Sequence, residues 1–489
     1  MTVRMAGPDL PHGRHLALTW GIAAPYGGMT TALLDRSRLF AAAGTSVDVL
    51  TLDDRAWPLD PVAVPGAAGV RIRNLYDWAR FGTVAPAGTP PDAPAPLDPA
   101  DDDVLVDAAD GVELRRLRLA DDGKPRDIDH LRADGTIALS ERRVGKRGRT
   151  LLARDTTGRP VRSWRRRYDL YADWLDDLIG GDEAFLIVDS KTVAPFAAGY
   201  HRRRVTTVHV VHGSHRGPTP GSVRASRQPV FSRLTDFDAV AFATEAQAVD
   251  VRAIVGPGPF LTNVAHPVRT IDPAALPADT DRGGAVVIAR LEPIKRIEDA
   301  VAAMLEVHGT AAADIPLDVY GTGSRAGELA ALASDDPLIR FHGHTDDPAG
   351  ALGAAGVLLL TSRSEAFGLV LLEAMAAGCL PIAYDIAYGP AELIRHGVNG
   401  WLVPEGDVAA LADAVRAAAA LEPARRAGMR EQARATAAEY DDVRIRRRWA
   451  AVLRAARRRR RVRGGARRVL AAARRIAAAA KRRVPRPRR

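Results

Sequence analysis

HLALTWGIAAPYGGMTTALLDRSRLFAAAGTSVDVLTL, residues 15–52, decides the fold. HLALTWGI is an apolar run of strand length that ends at Pro25-Tyr26-Gly27-Gly28. MTTALLDRSRLFAAAG has helical periodicity and stops at Gly44, a C-terminal glycine signal. SVDVLTL then alternates like a strand. Strand, helix and strand in that order form a β-α-β unit, the seed of a parallel doubly wound sheet.

The same alternation returns twice. After residue 165, YDLYADWLDDLIG reads as helix, AFLIVDS as buried strand, TVAPFAAGYHRR as helix and VTTVHVVHG as strand. DAVAFATEAQAVDV and FLTNVAHPV close that half, and TIDPAALPADTDRGG marks a boundary near 270–284. From AVVIARL onward the alternation runs to GWLVP, giving a second parallel sheet with helices on both faces. The expected fold is α/β, with two Rossmann-like doubly wound domains at 1–270 and 284–440. Sheets of this kind place ligands at the carboxyl ends of their strands, here facing a gap between domains.

Residues 81–103 break the pattern, with six prolines between Pro86 and Pro99, and read as an irregular linker. Asp-Gly then recurs at 110–111, 122–123 and 134–135, between short β-like runs. That spacing predicts a β-meander inserted in the first domain at about 103–165. Its arginine-rich strands predict one solvated face.

Composition bounds the function. The chain has 489 residues and a net charge of +10. Of its 69 Lys and Arg, 17 lie in residues 450–489, where there is no acid, so the first 449 residues carry −7. An acidic body with a basic tail disfavours nucleic-acid binding across the whole surface. No apolar run has the length of a membrane span, and the N-terminus lacks a secretory h-region. Cys379 is the one cysteine, so no intrachain disulfide forms. A cytoplasmic enzyme is the expectation, with Cys379 a small core residue.

The strongest candidate site is TSRSEAFGLVLLEAMAAG, residues 361–378. Glu365 and Glu373 stand eight apart, a spacing shared by Glu298/Glu306 and Glu431/Glu439 inside plain helices. Context separates them: only Glu365 and Glu373 follow a buried strand and straddle a helix N-terminus. Free N–H groups at Phe367, Gly368 and Leu369 would favour an anion there. The carboxylates suit sugar hydroxyls and a ribose diol. Arg290 and Lys295, at the end of the second domain's first strand, suit a diphosphate. The chain has 64 Arg and 5 Lys, so a lysine at this spot is informative.

Gly27-Gly28 permits close backbone approach before the first helix; a structural turn explains it equally. Gly321-Thr322-Gly323 resembles a dinucleotide loop, but Gly327 makes the spacing wrong for a nicotinamide enzyme. His209, His212 and His215 have the look of a metal triplet, yet a strand would not converge them, and no metal is expected. His212, at the strand's end, is the better functional candidate.

Together these motifs resemble retaining glycosyltransferases of the GT-B fold, family four, over residues 12–455 outside the meander. The resemblance implies that Arg290 and Lys295 hold the diphosphate of a nucleotide sugar, UDP-linked by preference. It implies that Glu365 contacts the transferred sugar, Glu373 the ribose, and His212 the region of the sugar. Gly27, Gly28, Phe367, Gly368, Leu369, Gly321 and Gly323 would line the donor. RIRRRWAAVLRAA resembles the family's last helix, giving a return helix at 441–460 and a basic tail at 461–489. The meander is similar to that of poly(glycerol-phosphate) α-glucosyltransferases of wall teichoic acid synthesis and of enzymes that glycosylate serine-rich adhesins. Such insertions serve acceptor binding or oligomerisation. The resemblance implies transfer of glucose or N-acetylglucosamine to a polymeric cell-envelope or protein acceptor, with no further cofactor. A non-catalytic, acceptor-binding relative is the alternative. The tail, with basic pairs every seven residues at 467/468, 474/475 and 481/482, is expected to form a separate helix after Gly464-Gly465 that meets an anionic membrane surface.

Overall fold

Three sheets carry the chain. The computed structural model describes residues 10–22, 27–54, 69–82, 84–88, 92–109, 111–145, 148–268, 271, 276–277, 282–309, 314–333 and 336–483, with side chains to residue 464. The connector read at 270–284 lies largely outside the described residues, as do residues 484–489.

The first sheet opens with β1 (Arg14–Thr19), β2 (Val47–Thr51) and β3 (Arg71–Asn74), paired in parallel in that order. An antiparallel meander follows: β4 (Val104–Ala109), β5 (Val112–Leu119), β6 (Pro125–Leu131), β7 (Ile137–Val144), β8 (Gly148–Arg154) and β9 (Pro160–Trp164). The chain then returns to the first sheet through β10 (Ala184–Val188), β11 (Val205–Val211), β12 (Ala239–Phe242) and β13 (Leu261–Asn263). The resulting order is β13-β12-β11-β10-β1-β2-β3. The meander therefore occupies the crossover from the edge strand β3 back to the centre, where the strand order reverses. Helices Leu75–Phe81 and Arg167–Ile179 flank it.

The second sheet comprises β14 (Gly283–Ile288), β15 (Leu317–Tyr320), β16 (Ile339–Gly343), β17 (Ala355–Leu360), β18 (Leu380–Tyr384) and β19 (Trp401–Val403). Its order, β16-β15-β14-β17-β18-β19, is that of a dinucleotide-binding sheet, and its pairings are parallel. The order reverses between β14 and β17, and sheets of this order hold their ligands beyond the carboxyl ends of the strands at that point. By compactness one unit gathers Leu10–Val210, Ser232–Asp238 and 453–483, and the other Val211–Phe231 and Ala239–Val452.

The meander departs from expectation on its arginine-rich side. Prolines supply carbonyls but no N–H, and arginines supply only donors. Arg142 donates to the Ala95 carbonyl at 2.8 Å, Arg154 to Pro94 at 3.0 Å and Arg116 to Leu97 at 3.2 Å. Leu97 is buried, and its N–H donates to Asp129 at 2.8 Å. The proline-rich segment is thus sewn to the strands, so the expected solvated face is partly covered.

An ionic cluster joins the meander to its flanking helices. Glu141 on β7 is fully buried and accepts from Arg167 (2.8 and 3.1 Å), Arg149 (3.1 Å) and Tyr76 (3.2 Å), with His130 3.5 Å away. Burial alone would raise its pKa; His130, Arg167 and Arg149 outweigh that and hold it down at about 2. Tyr76 and Arg167 lie on the two flanking helices, so the cluster welds the insertion to the first sheet's own elements.

The last helix runs unbroken over Asp442–Arg483. The expected separation at Gly464-Gly465 is absent: the helix passes through both glycines. No described helix is long and apolar enough to cross a membrane.

Candidate active site

The carboxyl ends of β14 and β17 bring the predicted charges together. After β14 the chain turns through Pro293–Lys295 and enters helix Ile297–His308 at Arg296. Arg296 has φ 47°, a left-handed conformation that costs a non-glycine residue about 1 kcal/mol or more. Its guanidinium is tied to Asp299 at 2.9 Å, lies 3.7 Å from Glu405 and sits over the Tyr384 ring. This turn delivers Lys295, whose Nζ donates to Glu365 at 2.5 Å. Ser362 donates to the same Glu365 oxygen at 2.7 Å. Two further bonds lace the strand ends: Arg363 N–H to the Ile294 carbonyl at 2.9 Å, and Thr361 Oγ1 to the Lys295 carbonyl at 3.0 Å. The Lys295 and Glu365 side chains are 19% and 14% exposed, open enough to meet a ligand. Arg290, two residues beyond β14, is exposed and forms no ion pair among the described residues.

Helix Leu369–Ala377 begins just after this pair. Gly368 has φ 83° and stands before its first turn, with no side chain capping it. Phe367 is buried, and Gly389 packs so closely that a Cβ there would lie 2.1 Å from the Phe367 carbonyl oxygen. Glu373 is half-buried on the helix. The Phe367 ring meets His266 edge-on at 5.7 Å, and His266 stacks on His212 at 5.7 Å. His212 is therefore joined to the Glu365 loop through His266, a residue the sequence reading missed. Tyr440 also packs on the Phe367 ring, tilted, at 5.6 Å.

Beside this loop is a polar cavity of about 570 Å³ at the carboxyl ends of β17, β18 and β19, lined among others by Arg216, Arg224, Arg363, Ser364, Asp385 and Glu405. Arg216 is fixed by Asp250 at 2.6 Å and by the Tyr388 hydroxyl at 3.0 Å. Tyr388 in turn donates to Asp250 at 2.7 Å. Burial would raise the Asp250 pKa, and the bonds from Arg216 and Tyr388 lower it below the usual range. His215 is buried between the rings of Phe231 and Tyr388, and burial lowers its pKa to about 4. Sequence reading missed Arg216, Arg363 and Tyr388. TSRSE carried a faint polar signal for Arg363, but Arg216 and Tyr388 meet across 172 residues.

The Gly321-Thr322-Gly323 loop has a structural cause for both glycines. A Cβ at Gly321 would lie 1.8 Å from the Ala289 carbonyl oxygen, and one at Gly323 would lie 2.4 Å from that of Leu291. The loop therefore packs directly on the segment that bears Arg290. Ser324 donates to Glu292 at 2.8 Å (hydroxyl) and 3.1 Å (N–H), lowering its pKa.

Gly27 and Gly28 open helix Gly28–Ala42 in the other compact unit. Gly27 has φ −89°, ψ 166°, and a Cβ there would meet nothing within 4 Å. Neither backbone conformation nor packing demands glycine at that position. His209 donates its Nδ1–H to the Val188 carbonyl (2.9 Å) and stacks on Phe237. No cluster of three or more His, Cys, Asp or Glu suited to a metal occurs among the described residues. Cys379 is buried, and burial pushes its thiol up to about 12.

Comparison with known proteins shows what the chain is similar to. Residues 268–436 match the glycosyl transferases group 1 family. The chain is 30% identical over 213 residues to the poly(glycerol-phosphate) alpha-glucosyltransferase of Bacillus subtilis (strain 168), covering 42% of this chain and 31% of that protein. It is 35% identical over 143 residues to the GtfA subunit of the UDP-N-acetylglucosamine–peptide N-acetylglucosaminyltransferase of Streptococcus gordonii, 28% of each chain. The chain thus spans under a third of the length of the first curated relatives it matches. Among solved structures, S. aureus TarM superposes with a TM-score of 0.68 and 18% identity, over 90% of this chain and 100% of TarM. Pneumococcal GtfA, solved with UDP and GlcNAc, gives 0.65 and 17%, over 91% and 99%. The chain therefore has the GT-B fold, with a glycosyl transferases group 1 domain at residues 268–436.

Proposed function

We propose that this chain is a retaining glycosyltransferase that moves a hexose, glucose or N-acetylglucosamine, from a UDP-sugar to a polymeric cell-envelope or protein acceptor. The observation that carries the reading is the Lys295–Glu365 pair, held where the second sheet reverses its order and next to the start of helix Leu369–Ala377. Lys295 and Arg290 supply positive charge for a diphosphate, and the N–H groups at 367–369 add to it. Glu365 holds the lysine in the unliganded site and would exchange that contact for sugar hydroxyls as the donor enters. Glu373 would take the ribose, and His212 would approach the sugar through its stack on His266. The charge on the leaving diphosphate is met by side chains and N–H dipoles, so the reading calls for no metal. The likeness to the teichoic-acid and adhesin enzymes supports the acceptor class. Acceptor contact and self-association through the meander, and contact of the basic tail with the inner face of the cell membrane, belong to the same proposal.

The test is a donor screen. The full chain is incubated with UDP-glucose or UDP-N-acetylglucosamine, with and without soluble poly(glycerol phosphate), and released UDP is measured by mass spectrometry. UDP release with one donor, and an α-linked product by NMR, is the expected result. Binding of the polymer with no UDP release from either donor favours the non-catalytic, acceptor-binding alternative.

A further inference from the structure

The middle of the last helix lines a second charged cavity, of about 730 Å³, within the unit built on the first sheet. Its wall includes six arginines: 202, 203, 204, 460, 461 and 463. Three carboxylates face them: Glu183, Asp236 and Asp238. Most of these charges are already committed. Arg202 pairs with Asp176 at 2.7 Å and lies over the Tyr200 ring. Arg204 donates to the Gly181 carbonyl at 2.6 Å, and Arg463 to that of Phe237 at 3.0 Å. Asp236 takes Arg233 at 3.0 Å, and Asp238 accepts from the Thr207 N–H at 3.0 Å.

Three donors remain in excess. Arg203 and Arg461 form no ion pair among the described residues. Arg460 is 11% exposed and donates one nitrogen to Glu183 at 3.2 Å, while its other two nitrogens are buried with no hydrogen-bond partner. A buried guanidinium N–H without an acceptor is costly, and a multivalent oxyanion in the cavity would remove that cost. The guanidinium fork matches phosphate oxygens in pairs. The position is informative too. Arg202–Arg204 lead into β11 and Asp238 leads into β12, so the cavity lies at the amino ends of these strands. Rossmann-like sheets hold their usual ligands at the opposite, carboxyl edge.

We infer that this cavity is a binding site for a phosphate group, separate from the donor site and built jointly by the 202–204 turn and Arg460–Arg463. A free phosphate ester and a lipid headgroup share that chemistry.

The experiment uses the full chain and two variants. Arg203→Gln/Arg461→Gln removes the two uncommitted cations without unpairing a carboxylate. Arg467→Gln/Arg468→Gln/Arg474→Gln/Arg475→Gln neutralises the tail beyond the cavity. Calorimetry with inorganic phosphate and with sn-glycerol 3-phosphate, and co-sedimentation with phosphatidylglycerol against phosphatidylcholine vesicles, give the readouts. The expected result is saturable phosphate binding that weakens at least about tenfold in the first variant and is unchanged in the second. Vesicle binding that also depends on Arg203 and Arg461 identifies a headgroup; binding confined to the soluble esters identifies a free phosphate ester. The proposal is overturned if no phosphate-bearing probe binds, if the first variant binds as the unmodified chain does, or if only the second loses binding.

Discussion

Two carboxylates, each paired with a cation, sit in two regions and do different work. Glu141 lies in the meander itself, on β7, fully buried, with two arginines, a tyrosine and a histidine around it. Glu365 lies at the carboxyl edge of the second sheet, partly open, held by one lysine and one serine. A buried charge that loses its partners cannot turn to water, so the Glu141 cluster is bound into the stability of its region. A partly open pair can exchange its partners for a ligand at small cost. Pairing by itself does not mark a functional carboxylate; under the proposed function, exposure at a strand's carboxyl end is what sets Glu365 apart.

The largest expected effect is on the buried side of this comparison. Glu141→Gln removes the buried charge on which the partly exposed Arg167 and Arg149 converge beside buried His130, and should cost about 3 kcal/mol or more, read from chemical unfolding. A loss under 1 kcal/mol would remove the distinction drawn between the two sites. The same residue sets a pH dependence. Its pKa is about 2 in the folded chain against 4.5 ordinarily, so its stabilisation is complete above pH 4.5 and is lost as pH falls toward 2. The span corresponds to a contribution on the order of 3 kcal/mol. Unfolding curves of the unmodified chain should show that fall, and those of Glu141→Gln should lack it.

Glycines sharpen the comparison at the next level. Gly321→Ala drives a Cβ into the Ala289 carbonyl at φ 143° and should destabilise by about 3 kcal/mol. Gly27→Ala meets nothing and should leave the melting temperature unchanged. A fall in transfer by Gly27→Ala at constant stability then reports a ligand that approaches the backbone there. Smaller again is Lys295→Ala, which should weaken UDP binding about tenfold to a hundredfold in calorimetry, since one charged contact is lost. Unchanged affinity would detach Lys295 from the diphosphate.

The sequence announced the alternation of strands and helices because each buried strand is a local apolar run bounded by turn residues. It also announced the turn repeat of the meander, the strand-end setting of Arg290, Lys295 and Glu365, and the place of Glu373 on the helix that follows. Contacts that join distant positions left no local trace. Glu141 meets Tyr76 across 65 residues and Arg167 across 26, and His266 reaches both His212 and Phe367 only through the fold. Arginine and glycine each misled once. On the meander it reads as solvent-facing, yet it binds proline-segment carbonyls. In the last helix the glycine pair reads as a break, yet the helix continues through it.

The most direct test of the central claim measures transfer and stability together in Glu365→Gln. The amide keeps the shape and a hydrogen-bonding oxygen but removes the charge that holds Lys295. The melting temperature should stay within a degree or two of the unmodified chain, UDP affinity should be equal or tighter because Lys295 is released, and hexose transfer should fall about a hundredfold or more. Near-normal transfer, or a loss of transfer that merely follows a loss of folded protein, would contradict it.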